Sequence, residues 1–275
     1  MDFQHLTNIA IKAALAAGKI IQQSLNKDIL VEKKEGGSGY ASQVVTKVDK
    51  ECERVILSHL NPTCKTFDIG LLTEETEDDN TRFKKDFFWC IDPLDGTLAF
   101  INKQPGFSVA IALISRDGTP QIGVVYNPST NNLYAATKDK GAYKNGEIWK
   151  INQPNTYLTY VTDKKLIDTP QSNKIEKLLN EKVTALGLKG FEEISGSGAV
   201  LNAILVAENP PAMMLKFPTN KNGGGSIWDF AATACIFKEL GLQATNFKGG
   251  KLDLNKVDTT FMNHQGVFYS SLIDN

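Results

Sequence analysis

Apolar positions recur at helical spacing from about Asp2 to Leu25, where Leu6, Ile9, Ala13, Ala17, Ile20 and Ile21 share one face. The pattern then breaks over Lys33–Ala41, which carries Gly36, Gly37, Ser38 and Gly39 and reads as a polar loop. A second helix is predicted from about Val48 to Leu60, with Val48, Cys52, Val55, Ile56 and Leu60 as its buried stripe and Asn61-Pro62 as its stop. Lys65 to Leu72 reads as a strand leading into Thr73, Glu74 and Glu75, and the acidic run beyond it, with Glu77, Asp78 and Asp79, as a solvated loop. Phe87 to Ile91 forms a continuous apolar run, the mark of a buried strand.

From Phe107 to Tyr143 short strands alternate with tight turns: Phe107–Ile114, Ile122–Tyr126 and Leu133–Ala136, with a further hairpin closing at Lys144–Glu147. This is the pattern of an antiparallel meander. After Gln153 strands and helices alternate instead. Strands are predicted at Tyr157–Thr162, Phe191–Ile194, Met213–Phe217, Gln243–Phe247 and Gly266–Ser270, and helices at Ser172–Leu186, Gly198–Ala207 and Trp228–Leu240. The fold class is therefore α/β (α+β), with an antiparallel sheet in the N-terminal half and a smaller mixed sheet in the C-terminal half. The change of pattern near Gln153 divides the chain into residues 1–153 and 154–275.

Composition narrows the function classes. The 275 residues carry a formal net charge of −1, so the basic excess expected of a nucleic-acid or membrane-surface binder is missing. No apolar run is long enough to span a bilayer, and the start Met1-Asp2-Phe3-Gln4-His5 lacks the basic and apolar segments of a signal peptide, which points to the cytoplasm. Cys52, Cys64, Cys90 and Cys235 are widely spread and form no Cys-x-x-Cys pair, so a thiolate metal site and disulfides are not expected. The three histidines, His5, His59 and His264, have no serine or cysteine nucleophile placed beside them, which argues against triad chemistry.

The segment from Trp89 to Thr97 holds the candidate chemistry. Asp92 and Asp95 stand around Pro93 where the apolar run stops, and acids at the end of a buried strand need a cationic partner. Pro93 stiffens the turn, Gly96 permits close backbone approach, and Thr97 is placed to cap a following helix. This combination suits a hard divalent cation beside a phosphate. Asp49, Glu74 and Asp229 also lie at predicted element ends. If the fold gathers these ends, four or five carboxylates converge, and divalent cations are needed to offset their repulsion.

Asp92-Pro93-Leu94-Asp95-Gly96-Thr97 and Trp228-Asp229-Phe230-Ala231-Ala232 resemble the two signatures of the inositol monophosphatase superfamily, the lithium-sensitive, Mg²⁺-dependent phosphatases. The resemblance runs from the first helix to the last strands, through Val45–Asp49, Gly123–Tyr126, Gly141–Gly146 and Gly198–Leu201. It implies an alternating αβαβα sandwich and two or three Mg²⁺ ions. Carried over by position, Glu74, Asp92 and the Leu94 carbonyl would hold the first ion, Asp92, Asp95 and Asp229 the second, and Glu74 also a third. Asp49 and Thr97 would orient the attacking water, and the Gly96 and Thr97 amides would hold phosphate oxygens.

The implied substrate is a small phosphate ester. A 3′(2′),5′-bisphosphate nucleotide is the first expectation, from the helix that contains Leu201, Leu205, Val206, Ala207 and Glu208. Inositol 1-phosphate or a related sugar phosphate is the alternative, and a non-catalytic module that binds phosphorylated ligands a remote one. A homodimer is possible, since relatives are often dimers. Two departures bear on this: Thr73 stands where the family's acidic motif has glycine, and Asn220–Ser226 forms an unusual glycine-rich loop where relatives shape the leaving-group pocket. Lys216 falls near a position that is basic in some nucleotidases; read alone, it is a solvated strand residue.

Overall fold

The computed structural model describes residues 1–25, 31–33, 44–152, 154–169 and 171–272. Helix α1 (Phe3–Ser24) starts at Asp2, whose side chain accepts the N–H groups of Gln4 and His5. Strands β1 (Val31–Lys33) and β2 (Val44–Thr46) pair antiparallel, and the polar loop expected over Lys33–Ala41 lies, from 34 on, outside the described residues. Helix α2 (Lys47–Phe67) packs on the alanine-rich face of α1. It does not stop at Asn61 but continues through Pro62. One tertiary bond and one local bond hold its last turns: buried Thr63 accepts the Trp89 indole N–H at 2.9 Å, and within the helix the Thr66 hydroxyl donates to the Pro62 carbonyl at 2.9 Å. The strand expected over Lys65–Leu72 is correspondingly reduced to β3 (Gly70–Thr73).

Strand β4 (Phe87–Asp95) lies parallel to β3, and helix α3 (Thr97–Ile101) links it to β5 (Ser108–Ser115). Strands β6 (Pro120–Asn127), β7 (Asn132–Thr137), β8 (Ala142–Lys144) and β9 (Glu147–Ile148) follow in order, each antiparallel to the last, to give a seven-stranded sheet. The second sheet is mixed, in the order β11-β10-β12-β14-β13. Its strands are β10 (Leu158–Thr162), β11 (Phe191–Ser195), β12 (Ala212–Lys216), β13 (Gln243–Thr245) and β14 (Val267–Ser270), interleaved with helices α4 (Ser172–Ala185), α5 (Ala199–Glu208) and α6 (Ile227–Glu239).

Alternation along the strands sorts these elements into layers. In β5, Val109, Ile111 and Leu113 pack towards α1 and α2, while Ala110, Ala112 and Ile114 pack towards α5 and α6. In the second sheet, Val161, Met214 and Tyr269 face α5 and α6, whereas Leu158, Tyr160 and Met213 join Ile175 and Leu179 of α4. The result is an αβαβα sandwich. Both faces of the first sheet are covered, which explains why β4 and β5 read as unbroken apolar runs rather than alternating ones. Helices α5 and α6 sit between two sheets and are apolar almost all round. The core cluster around them draws residues from both sides of Gln153. Among the described residues no helix is long and apolar enough to cross a membrane.

Helix α6 lies directly on the first sheet at Gly123, where an added Cβ would collide with the Ala232 carbonyl oxygen and crowd the Cys235 Cβ. Neither is the end of a flexible side chain, so the helix itself must move. Gly123→Ala should cost about 2 kcal/mol by overpacking, lowering the melting temperature by about 5 °C in differential scanning calorimetry.

Candidate active site

Asp92 and Asp95 are three residues apart, and in a regular strand they would point to opposite faces. They do not, because β4 carries a bulge. Asp92 pairs with Ala110 and Asp95 with Ser108, so the step of three residues on β4 meets a step of two on β5. The extra residue restores parity and turns both carboxylates to the α5–α6 side. Pro93 sits within the bulge, where its missing N–H breaks no regular ladder. Leu94 donates its N–H to Asp92 Oδ1 at 3.0 Å, while its side chain is buried among the residues beneath α1 and α2.

Each of two acids also caps a helix. Asp95 accepts the Ala199 N–H at 3.1 Å and the Val200 N–H at 3.0 Å, the first amides of α5. An added Cβ at Gly198 would strike this carboxylate. Asp229 lies in the first turn of α6 and forms a reciprocal capping box with Ser226. Gly225, with φ +90°, leads into that box, and an added Cβ there would collide with the Phe230 ring. The glycine-rich loop is thus tied at its end to the helix that carries Asp229.

Together, Asp92, Asp95 and Asp229 bring carboxylate oxygens within 4.8 Å of one another. Asp92 and Asp95 are buried and Asp229 is half-buried. Burial first, and then the charge of Asp229, push the Asp95 carboxyl well above the usual aspartate range, against the opposing pull of the α5 amides. Burial and the charge of Glu74 raise Asp229 to about 7, although the Ser226 amide and Lys216 act the other way. Glu74 is not part of the tight trio, but its N–H donates to the Ile91 carbonyl at 3.2 Å, which sets it at the same end of β4. A set of hard oxygen donors crowded to the point of repulsion fits a small divalent cation and no softer metal.

Asp49, in the first turn of α2, is buried, and the Thr97 hydroxyl lies 3.2 Å from its Oδ1 and 3.1 Å from the Leu94 carbonyl. Thr97 is the first residue of α3 rather than its cap; Gly96 takes the cap position with φ +80°, a conformation that glycine adopts without strain. The candidate site residues Asp49, Glu74, Asp92, Leu94, Asp95, Gly96, Thr97 and Asp229 therefore lie around the ends of β3 and β4 and the starts of α2, α3 and α6, whereas Glu208 lies at the far end of α5 and accepts from Tyr134 and Lys144.

Two readings need correction. Asp78 is not simply solvated: it accepts the Nε–H of buried Arg82 at 2.6 Å, and that guanidinium also donates to Asn255 and the Lys256 carbonyl. Lys216 is not a freely solvated strand residue either. Its side chain is 17% exposed and its Nζ lies 2.6 Å from Asp163 Oδ2. Burial pulls its pKa down, but the carboxylates of Asp163, Asp229 and Asp95 outweigh burial and hold it above the usual lysine value.

Asp163 and Asn202 are site neighbours that no sequence motif marks. Asp163 follows β10 and also accepts from Asn202 Nδ2 at 2.8 Å. Asn202 was detectable as the lone amide within an otherwise apolar helix, and Ser226 as the start of a Ser-x-x-Asp capping box.

Comparison with known proteins agrees with this geometry. The family model "Inositol monophosphatase family" matches residues 2–273. The chain is 32% identical over 252 residues to "Nus factor SuhB" of Escherichia coli K12, covering 89% of this chain and 86% of that one. It is 29% identical over 262 residues to "Inositol monophosphatase 2" of Solanum lycopersicum, covering 91% of each. The crystal structure of CysQ from Bacteroides thetaiotaomicron, titled a bacterial member of the inositol monophosphatase family, superposes with a TM-score of 0.77 at 26% identity, over 98% of this chain and 99% of that one. The chain belongs to the inositol monophosphatase family of metal-dependent phosphoric monoester hydrolases.

Proposed function

We propose that this enzyme hydrolyses 3′(2′),5′-bisphosphate nucleotides, converting adenosine 3′,5′-bisphosphate to AMP and inorganic phosphate. The observation that carries this reading is Lys216: a largely shielded ammonium, held by Asp163 and under the influence of Asp95 and Asp229. A cation at the edge of a cluster of acids suits a substrate with a second anionic group beside the reacting phosphate. A cyclitol monophosphate carries its charge on the reacting phosphate alone and has no second anionic group to meet this cation.

In this reading Glu74, Asp92 and the Leu94 carbonyl would hold one Mg²⁺, Asp92, Asp95 and Asp229 would hold a second, and Glu74 would also serve a third. When bound, these ions supply the positive charge that offsets the acids and polarises the phosphoryl group. Asp49 and Thr97 orient the water that attacks phosphorus in line with the leaving oxygen, and the Gly96 and Thr97 amides hold phosphoryl oxygens. A second reading is hydrolysis of an inositol or sugar monophosphate. It is favoured by Asp163, whose side chain is 47% exposed and can accept hydrogen bonds from a polyol, and by the likeness to the tomato protein named inositol monophosphatase 2.

Phosphate release from adenosine 3′,5′-bisphosphate and from inositol 1-phosphate, compared in Mg²⁺, separates the two. The nucleotide should have the higher kcat/KM. Lys216→Gln should lower that value roughly 20-fold for the nucleotide and less than about threefold for inositol 1-phosphate.

The crowded acids also predict a pH-dependent stability. Asp229 ordinarily titrates near 3.8 and in the fold near 7, so the folded state holds this proton more tightly than the unfolded chain. The stability that it contributes is complete below the ordinary value and is lost as pH rises through about 7. Without Mg²⁺ the melting temperature should therefore fall between pH 5 and 8, by roughly 5 °C. Millimolar Mg²⁺ should restore it at pH 8 and do much less at pH 5, and Asp229→Asn should make the profile in EDTA shallower.

A further inference from the structure

Glu53 lies one helical turn beyond Asp49 on α2, so the two project from one face of the helix. It is a buried acid, 8% exposed, with no part in the reaction described above. Its two oxygens are engaged separately. Oε1 accepts the Thr73 hydroxyl at 2.6 Å, and Oε2 accepts the Thr76 hydroxyl at 2.9 Å. These threonines bracket Glu74 and Glu75.

We propose that Glu53 is a positioning residue for the metal site: it grips the acidic loop from both sides and thereby sets Glu74 against Asp92, Asp95 and Asp229. The need for such a grip follows from the local backbone. Strand β3 ends at Thr73, paired with Ile91, and beyond the single Glu74 N–H bond to the Ile91 carbonyl the chain leaves the sheet. Thr76, three residues past the strand, is exposed on the loop, and its hydroxyl brings it back to the helix. Both hydroxyls donate to Glu53, one to each oxygen, so a single side chain of the helix ties down the loop on either side of Glu74 and Glu75. At the far end the same loop is fixed by the Asp78 bond to Arg82. Glu74 thus sits in a span held at each end, with the helix that carries Asp49 as one of the anchors. Glu53 is not itself a ligand in this scheme, because it stands outside the carboxylate cluster and its oxygens face the two hydroxyls of the loop. Thr73, at the position where the family's acidic motif has glycine, gains a purpose: it supplies one of the two donors.

The proposal rests on the metal-site reading and not on the choice of substrate. Isothermal titration of the 275-residue chain with Mg²⁺ alone tests it, alongside melting temperatures in EDTA. Glu53→Ala should weaken Mg²⁺ binding about tenfold, and Thr76→Val, which keeps the volume and removes only the hydroxyl, about threefold. Glu53→Gln retains one acceptor and should fall between the wild type and Glu53→Ala. Adding Thr76→Val to Glu53→Ala should weaken binding no further, since both remove the same contact. Wild-type Mg²⁺ affinity in Thr76→Val and Glu53→Gln, with only the EDTA melting temperature lowered, would overturn the proposal; these variants also decide the matter if Glu53→Ala does not fold. Asp92→Asn serves as the reference. If it too binds Mg²⁺ like the wild type, the metal-site reading fails rather than the role of Glu53.

Discussion

Three carboxylates brought within 4.8 Å of one another in a mostly buried place is the constraint that the rest of this fold serves. At such a separation each charged pair repels by roughly 3 kcal/mol at an effective dielectric near 20, before any cost of burial. The protein meets part of that repulsion with its own backbone. Asp95 receives the first amides of α5, and Asp229 closes the capping box of α6, so two of the acids sit at the positive ends of helices. These contacts hold the acids in position without neutralising them, as the upward shifts of both carboxyls show. What remains is a deficit of positive charge matched to a divalent cation.

The layered architecture makes the convergence possible. Helices α5 and α6 are enclosed between the two sheets, and their N-termini meet the bulged end of β4. Closeness is achieved by removing side chains. Gly123 lets α6 rest on the first sheet, Gly198 lets the Asp95 carboxylate reach α5, and Gly96 allows the chain to turn past Gly106. On the opposite side of the first sheet α2 contributes Asp49 and, one turn later, Glu53. One helix therefore reaches both the Thr97 side and the Glu74 side of the site.

Much of this was legible in the sequence because burial leaves a plain mark. The unbroken apolar runs of β4 and β5, the meander with its Asn-Gly hairpin, and the alternation of strands and helices after Gln153 all correspond to observed elements. The acids Asp92 and Asp95 stood out because they stand where an apolar run stops, and Asp229 because it opens an apolar helix. Other features depended on contacts that no local pattern contains. Pro62 lies inside α2 because Thr63 binds the Trp89 indole, a partner 26 residues away. Asp78 belongs to a loop that composition marks as solvated, yet it binds an arginine buried against Asn255 and Lys256. The bulge that aligns Asp92 with Asp95 was only hinted at by Pro93, since register becomes visible once the partner strand is known. Asp163 and Lys216 likewise meet only through the side-by-side pairing of β10 and β12.

Crystals soaked in Mn²⁺, with anomalous diffraction recorded at the manganese edge, test the central claim most directly. A peak within coordinating distance of Asp92, Asp95 and Asp229 together, lost in Asp92→Asn, is the predicted result. Full occupancy elsewhere on the molecule, with no anomalous density among these three residues at millimolar Mn²⁺, would contradict it.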